Sequence, residues 1–260
     1  MARAARHRHA IDGGYPRGEE TRARIVVAAL KLFGERGFEG ASTRDIAAAA
    51  GVNAPALQYY FDSKEGVYLA CVEHIVSRTW ELLSAVIDRG ERAVELGAAD
   101  AELIEAFAAI QAQLADFMFT SLDTSDWRMF LARQQAGTGL EAGFQIVYRR
   151  VSKRIFDVMA AIVGRLAGLP VDSDETRIRT MALNGQLTMF QMGRRSALLN
   201  LNWDAVDANR LLLLKRIIWE QTCTVLHSMI AARDARPSVR AGRTRAKVTR
   251  PSPSRVSRSR

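Results

Sequence analysis

From Thr21 to Ala232 apolar residues recur three and four positions apart, and strand-like alternation is missing almost everywhere. A period of 3.6 puts such positions on one face of an α-helix, whereas a half-buried strand needs a period of two. The spacing predicts an all-α protein. Its 260 residues, 48% of them hydrophobic, suffice for one large core or two modest ones. No uninterrupted apolar run reaches the roughly 18 to 20 residues of a membrane-spanning helix, and the opening MARAARHRH lacks the apolar segment of a secretory signal. A cytoplasmic protein with no membrane partner is expected.

The formal net charge of +9 is unevenly placed. Of 37 Lys/Arg and 28 Asp/Glu, ten bases and one acid lie in residues 233–260, which leaves 27 of each in residues 1–232. A tail of Arg, Ser and Pro has almost nothing to bury, so residues 234–260 are expected to be disordered, as is a basic arm over residues 1–18. Such a tail can attract a polyanion by releasing counterions; the plain alternative is a solvated extension with no partner.

Caps and breaks divide the chain. The first helix is predicted over residues 19–36, with Ile25, Ala28, Ala29, Leu32 and Phe33 on one face and Gly37 as its stop. Ser42 to Asp45 reads as a capping box before a short helix over 44–50, which Gly51 closes. Pro55 suits the first turn of a third helix, and Ser63 is placed to cap a fourth over 64–89. After a soft stretch at 90–100, helical patterns run over 101–121, 126–135, 140–167, 174–199 and 204–233.

The second and third helices, joined by Gly51, Val52 and Asn53, have the length and turn chemistry of a helix-turn-helix. Leu57, Tyr60 and Phe61 share one face of the third helix, leaving Asn53, Ala54, Pro55, Gln58 and Tyr59 turned outward. Residues 19–68, from TRARIVVAALKLF through GFEGASTRDIAAAAGVN to YYFDSKEGV, resemble the DNA-binding domain of the TetR family of transcriptional regulators. The resemblance implies that Ser42, Thr43, Tyr59 and Lys64 hold phosphates. It also implies that Arg44, Asn53, Ala54, Pro55 and Gln58 reach base edges in the major groove; Gln58 departs from the aromatic residue common there. Arg and Gln can each grip a base edge bidentately, and a lysine at a helix N-terminus suits a phosphate.

Residues 184–203, NGQLTMFQMGRRSALLNLNW, resemble a CecR-type C-terminal domain. The two resemblances together imply a helix-turn-helix domain over 19–65 and a ligand-binding, dimerising helical bundle over 66–233. They imply a nucleoid-associated homodimeric repressor on a palindromic double-stranded DNA operator, released by a small-molecule effector; a constitutive DNA-binding protein is the alternative. Spacing by four suggests that Gln186, Phe190 and Arg194 line one helix face towards a pocket, or else form a buried polar network. The last helix is apolar over more of its girth than one buried face needs, so Leu212, Leu213 and Trp219 are expected to meet a second subunit.

Cys71 with His74, and Cys223 with His227, each set two metal ligands on one helical face; joined, they would make a Cys2His2 site of a metal-responsive regulator. Independent packing is the expectation, with no metal and no cofactor besides the effector. An enzyme needs a phosphate loop, paired carboxylates or an activated nucleophile, and the pattern shows none of these. The chain is not expected to be an enzyme.

Overall fold

A computed structural model describes residues 14–120 and 124–236, and every regular element among them is a helix. In chain order these are α1 (Gly14–Gly40), α2 (Thr43–Ala49), α3 (Ala54–Tyr60), α4 (Lys64–Glu95), α5 (Asp100–Thr120) and α6 (Thr124–Gln135). There follow α7 (Glu141–Val147), a π-helical turn (Tyr148–Ser152), α8 (Lys153–Ala167), α9 (Asp174–Met192), α10 (Arg194–Leu201) and α11 (Ala208–Asp234). The expected arm and tail lie outside the described residues except for 14–18 and 234–236. Residues 14–18 are helical rather than disordered: Pro16 falls in the first turn of α1, where a missing N–H forfeits no bond.

Helices α1 to α3 form a unit around Ile25, Ala29, Phe33, Ile46, Leu57 and Phe61, all buried. Each such side chain contributes about 1.5–3 kcal/mol relative to exposure. Gly37 adopts φ 76° and ψ 175°, so α1 is kinked where its stop was predicted and coils on to Gly40. The Asp45 N–H donates to Ser42 Oγ at 3.1 Å, while the Asp45 carboxylate, expected to close a capping box, instead meets Arg36 at 3.3 Å. Gly51, at φ 66°, ends α2 and sends the Val52 N–H back to the Ala47 carbonyl.

Capped by Ser63, α4 is 32 residues long, about 48 Å. Its Val67, Tyr68 and Cys71 are buried in the same core as α1, and Leu83 and Ile87 are buried further along, within the bundle. The predicted soft stretch from residue 90 is instead the last turns of α4. Gly90 is buried, and a Cβ there would stand 3.1 Å from Val158 and 3.2 Å from Ile110, so glycine permits a close crossing of α5 and α8.

Two further expectations change. The pattern over 140–167 is α7, the π turn and α8 in succession. The pattern over 174–199 is split at Gly193, whose N–H ends α9 on the Met189 carbonyl. A second core of Ala115, Leu187, Leu211, Leu214 and Ile218 joins α5, α9 and α11. Among the described residues no helix is long and apolar enough to cross a membrane.

Candidate DNA interface and effector cavity

Burial of Leu57 and Phe61, with Tyr60 half-buried, holds α3 against α1 and leaves Asn53, Ala54, Pro55, Gln58 and Tyr59 exposed, Tyr59 by 84%. Ser42 and Arg44 at the start of α2 are also exposed, and Thr43 is half-buried. Some of these groups have work inside the fold. Asn53 Oδ1 accepts the Ala56 N–H at 2.8 Å and so caps α3, with the residue itself exposed. Lys64 Nζ donates to the Glu39 carbonyl at 3.4 Å and lies 4.4 Å from the Phe38 ring centroid, tying the start of α4 to the end of α1.

Within the bundle lies a mostly apolar cavity of about 240 Å³. Its walls include Ile75, Thr79 and Leu83 of α4, Phe117 and Met118 of α5, and Arg128, Leu131 and Gln135 of α6. Val151 and Ser152 close another side from the π turn, which is a geometry that recurs at functional sites. Burial, and secondarily the charge of Arg194, lowers the pKa of Arg128 below the usual guanidinium range.

Helix α6 has a second role. Arg133 Nε donates to the Gly34 carbonyl and Arg133 Nη2 to the Glu35 carbonyl, each at 2.8 Å. A Cβ on Gly34 would fall 3.0 Å from the Asp126 carbonyl oxygen and 3.2 Å from Met129 Cβ, so α1 and α6 touch backbone to backbone. One face of α6 walls the cavity and another grips the helix that carries the DNA-binding unit.

The expected pocket row is not assembled. Gln186 and Phe190 belong to α9, Arg194 opens α10 beyond the Gly193 break, and none of the three lines the cavity. Gln186 Nε2 lies 3.4 Å from Thr222 Oγ1 of α11, Phe190 packs on the second core, and Arg194 lies 5.5 Å from the Phe119 ring centroid. The two Cys/His pairs likewise stay apart. Cys71 is fully buried against the Val26 carbonyl, His74 packs edge-on to Trp127, and His227 Nδ1 sits 2.7 Å from the Cys223 carbonyl. Among the described residues no three His, Cys, Asp or Glu side chains are grouped to hold a metal. Leu212, Leu213 and Trp219 are exposed by 64%, 37% and 48%.

Two family models match the chain. Residues 25–71 match "Bacterial regulatory proteins, tetR family", and residues 103–229 match the C-terminal domain of the HTH-type transcriptional dual regulator CecR. The chain belongs to the TetR family. The Shigella flexneri dual regulator CecR is 28% identical over 209 residues, covering 80% of this chain and 91% of that protein. Among solved structures, AibR in complex with isovaleryl coenzyme A and operator DNA shares the fold: TM-score 0.56 and 15% identity, over 77% of this chain and 97% of AibR. A transcriptional regulator of Rhodococcus sp. Rha1 has TM-score 0.52 at 19% identity, over 80% and 96%. As a TetR-family member the chain is a DNA-binding transcriptional regulator, not an enzyme, and α2 and α3 are its helix-turn-helix.

Sequence reasoning missed Arg128 and Arg133. The available signal was modest: a short helix whose buried Trp127 and Phe130 stand next to or between arginines.

Proposed function

We propose that this TetR-family regulator is a repressor that binds a palindromic operator as a homodimer and leaves it when a small molecule fills the cavity between α4, α5, α6 and α8. The observation that carries the reading is α6, which walls the cavity with Arg128, Leu131 and Gln135 and grips α1 through Arg133. A molecule that displaces α6 changes how the DNA-binding unit sits. By population-shift logic it must favour the released arrangement by a few kcal/mol to empty the operator. AibR, of the same fold, is solved with an acyl-coenzyme A and operator DNA. At a promoter, occupancy alone then obstructs transcription.

In this reading residues 19–65 bind DNA and 66–233 bind the effector and the second subunit, in the cytoplasm. Arg44, Ala54, Pro55, Gln58 and the Asn53 amide nitrogen face bases; Ser42, Thr43, Tyr59 and Lys64 face phosphates. The dimer face supported by exposure runs over Ile178, Met181 and Met189 of α9 and Leu212, Leu213, Ile217 and Trp219 of α11, too many exposed apolar side chains for a free surface. Two recognition helices about 34–36 Å apart then read successive major-groove faces.

The test is fluorescence anisotropy with DNA from upstream of the protein's own gene against a shuffled fragment, at physiological salt, together with light scattering. Preference for the native fragment by a species of dimer mass is expected. A monomer, or equal affinity for both fragments and for every site recovered by genome-wide selection, sinks the reading.

A further inference from the structure

We propose that Tyr68 and Gln134 are positioning residues for operator binding: together they form the joint that sets the angle of the helix-turn-helix unit on the bundle. The inference rests on the reading that a dimer engages both halves of one palindromic operator. Tyr68, just past the first turn of α4, is buried. Its ring centroid lies 5.0 Å and 5.4 Å from those of Phe33 and Phe38 of α1, and 4.7 Å from that of Phe130 of α6. Gln134, one turn further along α6, is buried beside it. One side of the joint is the helix that carries the DNA-binding unit, and the other side is the bundle.

Each bundle helix at the joint is also a wall of the cavity. On α4, Val72, Ile75 and Thr79 continue the stripe that Tyr68 begins, and the last two line the cavity. On α6, Leu131 and Gln135 line it, each next in the chain to Phe130 and Gln134, and on α7 Val147 lines it one turn beyond Gly143. A shift of any of these walls reaches Tyr68 within about two turns of helix, because a close-packed interior transmits displacement.

The joint has no slack. A Cβ on Gly143 would stand 2.5 Å from Gln134 Nε2 and 3.1 Å from Tyr68 Cε1, and one on Gly139 would collide with both Gln134 Oε1 and the Tyr68 hydroxyl. Neither glycine has a positive φ, so what each supplies is space. Gln134 Nε2 is buried without a hydrogen-bond partner among the described residues, a cost that a leucine of similar size would not carry. Geometry accounts for an amide that costs stability at this point. Its two arms fill the gap bounded by Gly139, Gly143 and Tyr68, and so hold α6 and α7 at a fixed distance from α4.

The test uses the full chain and two DNA fragments compared by fluorescence anisotropy: the operator, from upstream of the gene or recovered by genome-wide selection, and the same fragment with one half-site scrambled. Two half-sites engaged at once hold the protein more tightly than one only when the two units sit at the right separation, so a change of angle is read on the two-site fragment alone. Gly143→Ala should lose about tenfold on the two-site fragment and nothing on the single-site one. Adding Gln134→Ala, which removes the atoms that the new methyl meets, should restore part of that loss. Gln134→Leu should show the same selective loss with a urea midpoint no lower than that of the wild type, a combination that a merely structural role does not produce. Circular dichroism shows that each variant is folded; should Gly143→Ala not fold, Gln134→Leu, which adds no bulk, decides. Folded variants with wild-type affinity for the two-site fragment, or with equal losses on both fragments, would overturn the proposal. A wild type that gains nothing from the second half-site ends the dimeric-operator reading and this one with it. A wild type that does gain, beside variants that gain as much, ends this one alone.

Discussion

Arg133 of α6 reaches the carbonyl of Gly34 in α1 at 2.8 Å, and the same guanidinium takes the Glu35 carbonyl at 2.8 Å. Both acceptors lie in the last turns before the Gly37 kink, where carbonyls lose their intrahelical partners. A fork with two parallel donors is what such a pair of carbonyls requires, and the bare side of Gly34 lets α6 approach closely enough to offer it.

Arg133→Ala removes both bonds from a part-buried site. A loss of about 1–3 kcal/mol in urea unfolding is expected, because hydrogen bonds from a charged donor are worth more than neutral ones. Arg133→Lys should recover less than half, since a point charge cannot serve both carbonyls. An unchanged unfolding midpoint in both variants would show that the grip carries no energy.

Asn53 both caps α3 and faces outward, so its substitutions should separate the two roles. Asn53→Ala is expected to cost about 1 kcal/mol of stability, while Asn53→Ser, which keeps a capping oxygen, should stay within a few tenths. Operator affinity should fall in both. If the serine variant binds the operator at full strength, the side chain serves the fold and not the DNA.

Arg44 and Lys64 should differ in kind. Arg44→Ala is expected to cost about 1–3 kcal/mol on the operator and little on random DNA, because an exposed arginine at a base edge discriminates sequence. Lys64→Ala should weaken binding to all sequences alike and shallow the salt dependence by about one unit. Equal losses on specific and random DNA for both variants would refute the division.

Asp100, at the start of α5, is held below its ordinary carboxylate value of 3.8, first by hydrogen bonds from Arg233 of α11. With the folded value below the unfolded one, the unfolded chain binds more protons. The pair therefore stabilises fully above about pH 5, and the contribution fades as pH falls through 3.8 towards the folded value. Urea midpoints of the wild type and Asp100→Asn should differ most at pH 6 and draw together as pH falls below 3.8 towards the folded value. A difference that stays constant as pH falls through 3.8 to the acid limit of folding would show that Asp100 does not titrate with folding.

Gly168 ends α8 at φ 63° and ψ 40°, and a Cβ there would fall 2.7 Å from Arg233 Cγ. Gly168→Ala should destabilise by about 1–2 kcal/mol, through the left-handed backbone and the displaced arginine. A variant as stable as the wild type would mean that Arg233 moves aside without loss.

Much of the DNA-binding unit was legible in residue order, because what fixes it acts over a few positions. The caps at Ser42, Asn53 and Ser63 link residues three apart, and Leu57, Tyr60 and Phe61 share a face by helical period alone. The break at Gly193 was misjudged because a lone glycine inside an apolar pattern is compatible with either a continuing or an ended helix. Gly90 was misjudged for the same reason: its neighbours Ile110 and Val158, which keep α4 running past it, stand far away in the chain.

The sequence by itself determined the helical class, the helix-turn-helix and the outward face of α3, since periodicity, capping and turn chemistry are local. Only the tertiary structure decided which helices enclose the cavity, that Arg128 lines it from α6, and that Arg133 grips a carbonyl 99 positions away. Those relations come from how helix faces stack, and the composition of a single face does not specify which of several similar faces it will meet.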